Sequence, residues 1–360
     1  MSLSRTRYEF LDWARGVAAL VMLQGHVFEA FAQGDQRQSG LFLASQFVGG
    51  MPPAVFLFLT GVTLAFLMES QERRELTWHQ RLLGVLNRSR YLLVLAILFR
   101  LQLWVFAWPH SPWTDLLRVD ILNCMAASIL LVSPVALAGR RERIRYGLLG
   151  GLSIALAAPL ISQCNLNAWP LLRDYLVPST QGFPLFPWSA FLWFGLSVGT
   201  ALKLVGSREL GRFAQWCALG GLLLILGAQK LADLPFSLYP ASDFWINSPW
   251  LILIKLGVVL VLLAAAYLWT SVFSTRWSPV RQLGTSSLLV YWVHTELVYG
   301  RWLYGWRGQL SVPQIAVLAL LVIAGMISLA YGVDSLRGWL RRQRESSAPW
   351  SLAPKPVEGD

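Results

Sequence analysis

Four ionisable residues share the first long apolar stretch of the chain, LDWARGVAALVMLQGHVFEAF (11–31): Asp12, Arg15, His26 and Glu29. Each such group costs roughly 2.5–3.5 kcal/mol to place in a membrane-spanning helix, so by default it marks function. Arg15 and His26 are eleven residues apart. Eleven helical steps return to within about 20° of the same face, about 16 Å further along the axis. Glu29 follows His26 at i+3 and Asp12 precedes Arg15 at i−3, so each has a partner one turn away. Such a stripe cannot face lipid. A histidine exchanges protons near neutrality, and a carboxylate one turn away can hold its tautomer and support its charged form. An arginine lower on the stripe suits an anionic group. Proton transfer within a group-transfer reaction is one chemistry this set serves. Coupled transport through a membrane is another.

Related residues recur downstream. Arg88 and Arg90 precede a run that also buries Arg100 and Gln102. Arginines there either hold a cytosolic polyanion through bidentate contacts or simply mark the cytoplasmic side. The stretch DLLRVDILNCMAAS groups Asp115, Arg118, Asp120 and Asn123, with pairing at i,i+3 as the structural alternative to a site role. Trp188, in GFPLFPWSAFLWFGLSVG, fits either a substrate wall or an interface anchor. Lys255 stands alone in its run, to snorkel or to pair with a neighbouring span. LGTSSLLVYWVHTELVYG holds His294 and Glu296, two apart and so on different faces, where a structural hydrogen bond is the competing role for the histidine. Cys124, Cys164 and Cys217 have no metal-ligand spacing, so neither a disulfide framework nor a metal is expected.

The elements that must position these groups are membrane helices. The 360 residues are 55% hydrophobic and only 14% charged, against about 25% charged in a soluble chain. Apolar runs of about 20 residues, each able to cross the hydrocarbon, fall near 9–31, 43–68, 86–107, 119–138, 145–163, 184–204, 212–230, 249–273, 283–303 and 311–335. The fold class is therefore an all-α polytopic integral membrane protein of about ten helices. Residues 1–340 form a single transmembrane domain and 341–360 a charged, Pro-rich cytoplasmic tail without structure. The second run is broken early by Met51-Pro52-Pro53, and Gly61 after it allows a close helix approach. No cleavable signal is expected, because Asp12 and Arg15 interrupt the first run.

The net charge of +11 would suggest nucleic acid were it not so unevenly spread. Basic residues fall in alternate connections and at both termini: Arg5 and Arg7; Arg73, Arg74, Arg81, Arg88 and Arg90; Arg140 to Arg145; Lys203, Arg208 and Arg212; Arg276 and Arg281; Arg337 to Arg344 and Lys355. The opposite connections hold Trp and Pro (AWPHSPW, NAWPLL, FWINSPW, RWLYGW) and few cations. That is the positive-inside pattern with an outer aromatic belt, and it places both termini in the cytoplasm.

The motif Asp12-x-x-Arg15-Gly16 followed by His26 resembles the first-helix signature of acyltransferase family 3. FLFLTG (56–61), RVDILN (118–123), FPWSAFLWFGLSVG (186–199) and LGTSSLLVYWVH (283–294) resemble a sister branch, the bacterial relatives of the heparan-alpha-glucosaminide N-acetyltransferase catalytic domain. The resemblance covers about residues 5–335. It implies a bacterial inner-membrane acyltransferase that moves an acyl group, usually acetyl, from cytosolic acyl-CoA to a sugar hydroxyl or amine beyond the membrane. The acceptor is then a glycan or glycolipid, membrane lipid is the surrounding partner, and a homodimer is left open. His26 matches the catalytic histidine of acyltransferase family 3 and Arg15 the arginine paired with it. The lysosomal branch carries its histidine near the first lumenal connection, whereas residues 32–46 here hold none; His26 is therefore assigned by the other pattern. On this reading His26 serves as base or as acyl carrier, Glu29 orients it, and Arg88, Arg90 and Arg100 hold CoA. Asp120, Asn123, Trp188 and His294 face the acceptor. A transporter or flippase for a sugar- or lipid-type substrate, and a non-catalytic assembly subunit, are the competing classes.

Orientation gives the first prediction. With Cys124, Cys164 and Cys217 replaced by Ser, a Gly34→Cys variant reacts with a membrane-impermeant maleimide on intact cells. An Arg74→Cys variant reacts only after permeabilisation, and the opposite labelling pattern would reverse the topology.

Overall fold

The structure is a computed structural model that describes residues 8–109, 111–180, 182–234, 239, 241–273 and 277–346. Arg5, Arg7, Arg276, Lys355 and the tail from 347 lie outside the described residues. Helices in chain order are α1 (Glu9–Phe31), α2 (Gly40–Gly49), α3 (Pro52–Glu72), α4 (Trp78–Ala107), α5 (Ile121–Leu137), α6 (Arg140–Ile161) and α7 (Pro170–Leu176). They continue as α8 (Leu185–Val205), α9 (Leu210–Ala232), α10 (Pro249–Phe273), α11 (Pro279–Thr285), α12 (Ser287–Tyr299) and α13 (Val312–Ser346). Among the described residues, eight helical stretches are long and apolar enough to cross a membrane, with α2 and α3 counting as one. Helix α1 and the tandem of α11 and α12 complete the bundle. Three boundaries differ from the sequence expectation. The capping box of Thr77 and Gln80 starts α4 at Trp78, eight residues early. The ninth run is interrupted at Ser286, and α13 continues to Ser346, into the tail.

The break in the second run falls at Gly50 and Met51, with Pro52 opening α3. Gly61 lies on α8 so closely that a Cβ there would collide with the Leu192 carbonyl, and Gly195 answers it against Phe58. This small-residue crossing is how apolar helices associate in lipid, where the hydrophobic effect gives no preference. The main core lies between α3, α5 and α8, around Phe58, Leu64, Ile129 and Phe191.

Helix α1 is fixed at both ends. Near its start, Gly16 and Gly284 let α1 and α11 approach until a Cβ on either would strike the opposing backbone, at Val280 and Asp12. At its finish, the carbonyls of Ala30 and Phe31, which no further turn can satisfy, accept from Gly308 N (3.1 Å) and Leu310 N (3.0 Å). Gly308 reaches them with φ of 66°, a left-handed conformation open to glycine at no steric cost. The connection after α12 is thus tied to the end of α1, which sets α12 alongside the upper half of α1.

At the basic end, part of the positive charge is neutralised internally. Arg140 grips Glu69 through Nε (3.0 Å) and Nη2 (2.7 Å). Arg143, with a side chain only 1% exposed, donates to both oxygens of Glu72 at 2.7 and 2.9 Å, and Arg81 reaches the same carboxylate at 2.9 Å. Removing one member strands a buried charge, at a cost of about 3 kcal/mol. Glu72→Ala is therefore expected to lower the melting temperature clearly, read by thermal-shift size exclusion in detergent. An unchanged melting temperature would contradict the network's role.

Candidate active site

The last turns of α1 carry His26 and Glu29 toward the aromatic end of the bundle. His26 is half-buried, and its Nδ1 lies 2.9 Å from Nε2 of His294 on α12. The two rings stack at 5.1 Å with 22° between their planes. His294 is fully buried, and its own Nδ1 lies 2.7 Å from the Val290 carbonyl one turn earlier. The Tyr299 ring meets His26 edge-on at 5.4 Å, and its hydroxyl donates to Glu29 Oε2 at 2.7 Å. Glu29 is thus reached through Tyr299, while the Nδ1 edge of His26 belongs to His294.

His26 and Glu29 face a cavity of about 1190 Å³. Small-molecule pockets occupy roughly 300–1,000 Å³, so this one has space for a large ligand or two smaller ones. Aromatic side chains, Phe99, Trp104, Trp188 and Tyr291 among them, share its walls with charged ones that include Arg118, Arg301 and Arg307, and its rim is built from the connections of the aromatic end. An ion pair is set in the wall: Arg100 Nε lies 3.2 Å from Asp120 Oδ2, with side chains 16% and 4% exposed. Asp120 also caps α5, its Oδ1 accepting from Asn123 N (3.0 Å) and Nδ2 (3.1 Å). The Tyr175 hydroxyl donates to Asn123 Oδ1 at 3.3 Å, and burial raises the phenol's pKa so that it stays a donor. Trp188 stacks edge-on against Phe183 and carries the Lys255 ammonium 4.9 Å over its ring. Lys255, open to snorkelling or pairing from sequence, uses an aromatic face.

The structure brings His26, Glu29, Arg100, Asp120 and Trp188 into one cavity, with Asn123 behind Asp120 and His294 behind His26. Arg15 and Arg88 lie apart from it. Arg15 pairs with Asp12 at 3.0 Å, and Arg88 donates to Thr63 Oγ1 at 2.9 Å, close enough to Arg15 for their charges to repel. Arg90 is exposed. Arg100, grouped with Arg88 and Arg90 for CoA in the sequence reading, lies twelve residues and about 18 Å of helix further along α4, at the aromatic end. Sequence reasoning missed Tyr299 and Tyr291. Their signal was slight: hydroxyl-bearing aromatics at the depth of His294 in a stretch already rich in aromatics. Gln102, noted as buried, accepts from the Trp292 indole at 2.5 Å and ties α4 to α12.

A family model described as heparan-alpha-glucosaminide N-acetyltransferase, catalytic, matches residues 7–233. That span carries His26, Glu29, Arg100, Asp120 and Trp188, and it ends before α10 to α13. Among curated proteins no match is found. With well over half its length matched, on a bundle of membrane-spanning helices, the chain belongs to the heparan-alpha-glucosaminide N-acetyltransferase catalytic-domain family, a family of membrane acetyltransferases.

Proposed function

We propose that this protein moves an acetyl group from cytosolic acetyl-CoA to a hydroxyl or amine of a glycan or glycolipid on the far side of the membrane, with His26 as the base. One observation carries the reading. A half-buried histidine on a charged helix faces a large aromatic-walled cavity at the cation-poor end, while two repelling arginines of the same bundle lie toward the cation-rich end. Aromatic faces interleaved with carboxylates and guanidiniums suit a sugar, which offers both apolar faces and hydroxyls. Arg15 and Arg88 suit the anionic portion of the donor, since the buried Nε of Arg88 makes no hydrogen bond among the described residues.

Acetyl-CoA supplies a thioester carbonyl. His26 accepts the proton of the attacking hydroxyl or amine as the new bond to the carbonyl carbon forms. The C–S bond then breaks, and His26 returns the proton to the thiolate. Glu29, held by the Tyr299 hydroxyl, lies one turn from the imidazole and favours the positive charge it acquires. The Arg100–Asp120 pair and Trp188 form the acceptor wall. On this division the acyl group crosses and the nucleotide does not.

The test uses purified protein in nanodiscs, with radiolabelled acetyl-CoA and a mixed glycan extract. Wild type is expected to bind the donor and release CoA when the extract is present. His26→Ala is expected to keep binding and lose at least about 10²-fold in release, the usual worth of a general base. Absence of donor binding at micromolar concentration would sink the acetyl-CoA reading. Substrate flux without CoA release would favour a transporter.

A further inference from the structure

The family match stops at 233, yet the only side chain hydrogen-bonded to His26 among the described residues comes from 61 positions beyond it, as 294 − 233 gives. We propose that His294 is a positioning residue that fixes the tautomer of His26, leaving a bare Nε2 to face the substrate. The inference rests on the reading of His26 as the base.

Donors and acceptors alone fix the protons of this pair. A carbonyl oxygen can only accept, so the 2.7 Å contact between His294 Nδ1 and Val290 O requires a proton on that nitrogen. A neutral imidazole has one N–H and one lone pair, so Nε2 of His294 is then the acceptor. Its partner at 2.9 Å, Nδ1 of His26, must donate. The single proton of neutral His26 is thereby committed to Nδ1, and its Nε2 is bare. With Nδ1 turned to His294 and the residue lining the cavity, Nε2 is the nitrogen left for chemistry. A backbone carbonyl on α12 thus dictates, through one imidazole, which nitrogen of another can take a proton.

The relay also explains why the pair needs no carboxylate in the place a triad would put one. When the acceptor's proton arrives on Nε2, His26 carries N–H on both nitrogens, and His294 Nε2 still accepts from Nδ1. The hydrogen bond becomes charge-assisted, hence shorter and stronger, as the charge appears. His294 itself is fully buried and stacked on His26. It contributes through its partner and touches no substrate. This is a different duty from the acceptor contact its position in the sequence suggested.

The experiment reads the proton directly. The chain has four histidines, so uniform ¹⁵N-histidine labelling in nanodiscs, with His26→Ala to assign the signals, separates protonated from bare ring nitrogens. Wild type is expected to show His26 protonated at Nδ1 and bare at Nε2. His294→Gln can copy the pattern, with its amide N–H on Val290 O and its Oε1 accepting from His26. It should keep that signature and remain within about tenfold of wild-type kcat. His294→Leu, checked for a normal size-exclusion profile, removes the acceptor. It should mix the tautomers and lower kcat by about 10²-fold or more with KM nearly unchanged, as wrong-tautomer changes in hydrolytic triads do. A wild-type His26 protonated at Nε2, or a Leu variant matching the Gln variant in both readouts, would overturn the proposal. The spectrum needs no turnover. If CoA release proved independent of His26, the functional reading would fail while the tautomer result stood.

Discussion

The structure depends on the double fixing of its first helix. An α-helix bearing Asp12, Arg15, His26 and Glu29 is a poor tenant of hydrocarbon, and it is tolerable only when other helices cover its polar stripe. The glycine crossing of Gly16 and Gly284 sets the separation and rotation of α1 against α11. The hydrogen bonds from Gly308 and Leu310 to the carbonyls of its last turn set the height of α12. Two points of attachment, one near each end, leave little freedom to slide. The 2.9 Å approach of His26 and His294 follows from that register. A site held by side chains alone would not be placed so narrowly.

Much of this was legible beforehand, for physical reasons that can be named. Hydrocarbon permits few structures, so ten apolar runs of the right length pointed to the bundle. The break before Pro52 followed from missing backbone donors, and the close approach at Gly61 from the absence of a side chain. His26 and Glu29 were conspicuous because charge is rare at such depth. What could not be read was pairing across the bundle. Nothing in the local sequence says that residue 294 meets residue 26, or that Arg100 pairs with Asp120. These contacts join segments far apart in the chain, and their partners are chosen by packing. The interruption at Ser286 was hidden too, since no proline or charge marks it.

The two ends of the bundle treat charge differently. At the basic end, Glu69 and Glu72 bind several of the arginines that fix orientation, so these serve topology and cohesion at once. At the aromatic end the charged groups are fewer and one wall pair is nearly sealed. Ionic interactions strengthen as water is excluded. A few groups in that setting therefore impose more selectivity than the many cations at the other end.

The pairing of residue 26 with residue 294 also bears on how the protein is made. His26 lies on α1 and its partner on α12, which is made much later. For most of synthesis α1 carries its four ionisable groups into the membrane with no α11 or α12 to cover them. It must wait at a polar or proteinaceous margin, not among lipid tails, until those helices arrive. Pairing of the two histidines is therefore coupled to the synthesis of α12. A truncated product lacking α11 to α13 would hold His26 without its hydrogen-bond partner.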